Sequence, residues 1–108
     1  MINPTDLELT DHQQKLAIMM MGPLVRAVSL ESPEMGASSQ DLHKVLTFMA
    51  AMVLETDEKL TAPSHFREAG DYLGAMVGAF ARKLRHEHQQ SGYSLMDMAA
   101  SADESAVN

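Results

Sequence analysis

Cysteine is absent from these 108 residues, which excludes a disulfide framework, a thiol nucleophile and a thiolate metal site. Basic side chains are scarce: eight Lys and Arg stand against fifteen Asp and Glu, a net charge of −7. A general nucleic-acid binder needs a basic footprint to meet phosphates, so nucleic acid is not an expected partner. Long apolar runs are missing too. The uncharged stretch from Tyr72 to Ala81 is ten residues, about half a membrane span, and no membrane partner is expected. The start, M-I-N-P-T-D-L-E-L-T-D, is acidic and lacks a basic segment followed by an apolar one. The expected compartment is therefore the cytoplasm. Aromatics number five, against ten methionines. Methionine is flexible and polarisable and suits surfaces that adapt to a partner.

The apolar pattern that is present is helical throughout, with no convincing strand and no internal repeat. Thr10 followed by Gln13 is a capping-box signature that opens a helix near Asp11. Leu16, Met19, Met20, Ala27 and Leu30 continue it, and Gly22-Pro23 interrupts it, because Pro23 has no N–H to donate. The expectation is one kinked helix or two short ones joined at Gly22. Residues 31–39 read as a loop from their Pro, Gly and Ser content. A second helix runs from Ser38 or Ser39 to about Leu60, with Leu42, Val45, Leu46, Met49, Met52 and Val53 on one face. Pro63 opens a third, about Ser64 to Gln90, faced by Phe66, Leu73, Val77, Phe80 and Leu84 and stopped at Ser91-Gly92. A short docking helix and a disordered tail S-A-D-E-S-A-V-N are expected to follow. The fold class is all-α: three main helices forming a small bundle over residues 1–92, with residues 93–108 as the docking helix and tail.

Gly70, Gly74 and Gly78 recur every four residues inside the third helix. Together they cost roughly 3 kcal/mol of helix propensity relative to alanine. On a helical wheel with Phe66 at zero they lie at about 40°, 80° and 120°, beside the apolar face. A bare flank of this kind lets another helix approach closely and restores packing contacts. That helix is either one of the chain's own or one from a second subunit or partner. Phosphate-cradling loops need a different glycine spacing after a strand.

Two helices carry apolar residues beyond their core stripes. Ala75 points away from the stripe of the third helix. In F-M-A-A-M-V-L, residues 48 to 54, Phe48, Ala51 and Leu54 face away from the stripe of the second. A helix apolar on all sides is normally buried on all sides, and three helices cover only one side of each. Of Met19, Met20 and Met21, which spread over about 200° of a helix, one or two pack inside. The remainder, with Met21 and Ile18 the expected exposed pair, either fills gaps or forms an adaptable patch beside Gly22-Pro23. The candidate protein-interaction residues are thus Met19, Met21, Phe48, Leu54, Gly70, Gly74, Ala75, Gly78 and Phe80.

Catalytic constellations do not emerge. His86-Glu87-His88 fails the H-E-x-x-H pattern, since position 90 is Gln90. His12, His43 and His65 each lie near a helix start and read as surface or capping residues. There is no G-x-S-x-G elbow, and pairs such as Asp57-Glu58 and Asp103-Glu104 sit in exposed contexts. No enzyme activity, metal or cofactor is expected. Arg82, Lys83 and Arg85 suit the C-terminal dipole of their helix.

Two functions fit. One is a small helical regulator, homodimeric, that covers an apolar surface of another protein with Phe, Leu and Met anchors. The other is an acidic decoy that occupies a nucleic-acid site. A decoy concentrates its carboxylates in a stripe, whereas here they are spread over helix ends and loops, which favours the first. The acidic start N-P-T-D-L-E-L-T-D, the methionine-rich apolar helices and the absence of catalytic groups give the chain a plan that resembles the small helical QslA-type anti-activators of Pseudomonas quorum sensing. That resemblance implies a LuxR-type transcription factor as partner, bound at its ligand-binding region and kept from dimerising.

Overall fold

Residues 2–31 and 39–107 are described by a computed structural model, in which the order of the chain is a 3₁₀ turn and four helices. The 3₁₀ turn spans Pro4–Leu7; the helices are α1 (Asp11–Glu31), α2 (Ser39–Glu55), α3 (Pro63–Ser91) and α4 (Leu95–Val107). No strand occurs among the described residues, and the fold is all-α. The loop expected over 31–39 lies, apart from its ends, outside the described residues.

The helix starts are made by side chains three residues apart. Thr10 Oγ1 accepts the Gln13 N–H at 3.0 Å while Gln13 Oε1 accepts the Thr10 N–H at 2.9 Å. This reciprocal pair satisfies two donors that a helix N-terminus leaves open. At α3, Pro63 takes the first position, where its missing N–H costs nothing. His65 Nδ1 then accepts the N–H groups of Thr61 and Ala62 at 3.1 and 3.2 Å. α4 opens with Ser94 Oγ accepting the Asp97 N–H at 3.2 Å. The 3₁₀ turn is held by Asp6 Oδ2, which accepts the Asn3 N–H at 2.9 Å.

The ends differ more from expectation. α1 continues through Gly22-Pro23 as a single element, so the alternative of two short helices is not realised. α2 stops at Glu55, five residues before the expected Leu60. There, Thr56 Oγ1 donates back to the Val53 carbonyl at 2.8 Å, and Asp57 Oδ1 accepts the Lys59 N–H at 3.0 Å. Short polar side chains of this kind offer the backbone a competing partner and end helices. α3 ends on Gly92, whose φ of 87° is left-handed and whose N–H donates to the His88 carbonyl at 2.8 Å. A side chain at that position would be strained. The tail expected to be disordered is a correction: α4 runs on to Val107, because it lies against α1, with Asp103 beside Gly22 and Arg26.

Packing is concentrated in one place. α1 and α4 share the most extensive interface in the molecule, whereas α3 touches the 3₁₀ turn and α2 touches α1 only narrowly. At the centre of the α1–α4 contact, a Cβ added to Gly22 would lie 2.7 Å from the Ala99 carbonyl oxygen and 2.5 Å from Asp103 Cβ. Ala99 is 2% exposed. One turn further on, Arg26 Nη2 meets Asp103 Oδ1 at 3.1 Å. A bare glycine opposite a small alanine thus sets how closely these helices approach.

α3 is tied to the 3₁₀ turn by Tyr72, whose hydroxyl donates to the Asp6 carboxylate. Lost hydration, then the charge and hydrogen bond of Asp6, push the Tyr72 hydroxyl above its usual range. A raised tyrosine pKa means that the protonated form is favoured in the folded chain. The contact is therefore complete below the ordinary tyrosine pKa of about 10 and is lost as pH rises through the raised value. In Asp6→Asn, absorbance titration of Tyr72 should move down toward the ordinary value. An unmoved titration would remove the contact.

The outcome is an open arrangement. The radius of gyration is 15.7 Å, against about 13 Å for a compact domain of this length. α2 and α3 do not pack on one another along their lengths.

Candidate interaction surface

A protein of 11.8 kDa that folds alone exposes roughly 5,900 Å² by the scaling of monomer surface with mass. This chain exposes 8718 Å². About half of the unfolded chain's surface is buried, where a domain of this size buries about two-thirds. Among the described residues, Ala99 is the single buried apolar side chain, and no large side chain is fully enclosed. The missing burial lies on the helix faces whose apolar periodicity reads as core.

On α2 the exposure runs nearly all round. Val53 is 70% exposed on the expected core stripe, and Leu46, Met49 and Met52 beside it are exposed as well. Phe48, about 140° away on the wheel, is 66% exposed. Leu42 and Val45 are half-buried, as is Leu54 on the far side. Lys44, Val45, Thr47, Phe48, Met49 and Ala51 line a shallow dent on this helix alone, almost wholly apolar.

On α3 the half-buried residues Ala69, Leu73, Met76 and Phe80 cluster on one side. With Phe66 at zero they fall at about 280° to 340°. Phe80 there lines a narrow hollow with Leu7, Leu9 and Leu95. Next to them lies an open flank at about 0° to 80°, formed by Phe66, Leu84, Val77, Gly70, Ala81 and Gly74. All six are exposed, Val77 by 67%. A Cβ added at Gly70 or Gly74 would meet nothing within 4 Å, and one at Gly78 would meet only Arg82 Nη1 at 3.6 Å. The glycine row thus receives no helix of its own chain among the described residues. Ala75 is exposed on the opposite side.

The methionine triplet on α1 divides. Met19 and Met20 are exposed, together with Leu16, while Met21 is half-buried. Of the nine residues expected to form interaction surface, Met19, Phe48, Gly70, Gly74 and Ala75 are therefore open. Met21, Leu54 and Gly78 are intermediate. Phe80 is intermediate as well, lining the hollow beside the 3₁₀ segment of its own chain. The glycine that sequence reasoning undervalued is Gly22. Its signal was present in the small residues M-A-A-S-A of α4, which leave room for a helix to come close.

No protein-family model, curated protein or solved structure matches the chain. The chemistry of the surface therefore carries the functional reading. Among the described residues no three His, Asp or Glu side chains are placed to share a metal ion, and no helix is long and apolar enough to cross a membrane. What the surface offers is uncharged, apolar and convex. Such a surface gains free energy when another apolar surface covers it, at about 25 cal/mol per Å² of area removed from water.

Proposed function

We propose that this protein is a small helical regulator that binds another protein and inhibits it by covering an apolar surface, with α2 as its binding helix. The observation that carries this reading is the exposure of α2 on two sides, Phe48 at 66% and Val53 at 70%. A helix apolar all round is stable in water only when it is buried all round, and α1 covers no more than a narrow strip of it. Phe48, Met49 and Met52 supply the aromatic and adaptable anchors on which binding energy usually concentrates. The resemblance to quorum-sensing anti-activators names the class of target. It is a LuxR-type transcription factor, held by its ligand-binding region so that its own dimer does not form.

Phe48→Asp tests this. The site is open to water, so circular dichroism and melting should stay within about 0.5 kcal/mol of the parent. Capture of the ligand-binding region of a LuxR-type factor from the native host should fall about 30-fold, the effect of a 2 kcal/mol anchor. Because the contact is apolar, binding by the parent should survive high salt, which screens exposed charges. Full binding by the variant, or binding that collapses in salt, would overturn the reading.

A further inference from the structure

The open flank of α3 lies on a different helix from the binding surface proposed above and has its own requirements. The surplus of roughly 2,800 Å² over a monomer of this mass is shared between the α2 and α3 faces. If about half of it lies on α3, two copies bring roughly 2,800 Å² together, within the 2,000 to over 5,000 Å² of obligate homodimer interfaces. A chain with so little enclosed side-chain volume needs its cover whenever it is folded. The one molecule always present where this chain is made is another copy of it.

Charge placement points the same way. The run Tyr72 to Ala81 is uncharged, with Asp71 before it and Arg82 after it. On the α3 wheel these two fall within about 20° of each other, at about 140° and 160°, beyond the Gly74 side of the open flank. If α3 packs antiparallel on α3 of a second copy about a two-fold axis, the centres of the two runs coincide. Each Asp71 then stands beside the other copy's Arg82. A two-fold interface presents the same patch twice and must be complementary to itself, and this arrangement satisfies that condition. It also leaves a net charge of −7 per chain outside the contact. The bare backbone at Gly70 and Gly74 lets the two helices come close where Val77 of each copy packs.

We infer that the Phe66–Gly70–Gly74–Val77–Leu84 flank of α3 is half of an interface completed by a second copy of this chain, helix antiparallel on helix. The inference stands without the binding role of α2.

The full-length chain is tested by light scattering and by thermal melting over about a hundredfold range of concentration. The expected mass is twice 11.8 kDa, with a melting midpoint that rises with concentration. A single-chain mass and a constant midpoint across the range would overturn the inference, as would a stable mass that needs a different protein on this flank. Val77→Glu should weaken the dimer about 100-fold, because it buries two charges without partners. In a lone protomer the same change would sit in water and do nothing. Loss of helicity in Val77→Glu therefore counts with loss of mass in favour, and an unchanged dimer counts against. Asp71→Arg should weaken association severalfold and Asp71→Arg with Arg82→Asp should restore it. Failure of that rescue would overturn the antiparallel arrangement. Phe48→Asp, which tests α2, should leave the dimer intact, so the two readings fail separately.

Discussion

Gly22→Leu is expected to unseat α4 from α1. A leucine gains about 1 kcal/mol of helix propensity over glycine, and that gain is outweighed. Its Cβ alone would lie 2.5 Å from Asp103 Cβ and 2.7 Å from the Ala99 carbonyl oxygen. Neither atom is the end of a flexible side chain, so relief requires the helices to part. Overpacking of this sort costs about 1–3 kcal/mol for small additions, and leucine adds three more carbons with no cavity to take them. Parting exposes Ala99 and opens the Arg26–Asp103 pair, in which Arg26 is 47% exposed and whose own worth is therefore under about 1 kcal/mol. Packing dominates the loss. The melting midpoint should fall by roughly 10 °C, and hydrogen exchange should become fast along α4 while the Tyr72 region of α3 keeps its protection. Slow exchange in α4 of the leucine variant would show that the close approach at Gly22 is not what holds the helix.

Gly74 tests the opposite situation, because the protomer places nothing near it. In a chain that stays single, both Gly74→Ala and Gly74→Leu should raise stability by about 1 kcal/mol through helix propensity. With a second copy seated on the α3 flank the two substitutions separate. Alanine keeps a small surface, whereas leucine holds the facing helix away and forfeits the close contacts along its length. The expected result is a leucine variant whose α3 remains helical but whose association is weaker by about tenfold or more. Sedimentation of the two variants against the parent reads this directly. Equal mass for all three, with leucine the more stable, would mean that the flank is bare in solution.

Local structure was largely legible in the chain, and packing was not. The Thr10–Gln13 box, Pro63 at a helix start and Gly92 at a helix end each act through atoms a few residues away, so spacing alone locates them. The early end of α2 escaped because Thr56 and Asp57 compete for its backbone, while Leu60 still falls in register with the stripe. The helical tail escaped because its stability comes from lying against α1. Among the candidate residues, Phe48 was singled out by counting apolar circumference and Gly74 by the glycine spacing, and both stand open to water. The partial cover of Phe80 by Leu7 and Leu9 was not legible, because the 3₁₀ turn has no periodicity to announce it. Val53 and Val77 make the general point: apolar periodicity tells which face avoids water, and says nothing about which molecule supplies the shelter.

The corner between α2 and α3 is braced from end to end. The Asp57 and Leu60 N–H groups donate to the Leu54 and Asp57 carbonyls, both at 3.1 Å, and His65 ties down Thr61 and Ala62. The angle between the two rods is thereby fixed by bonds within the corner itself. Inserting or deleting one residue between Thr56 and Ala62 would turn α2 against α3 while leaving the exposed faces of both unchanged.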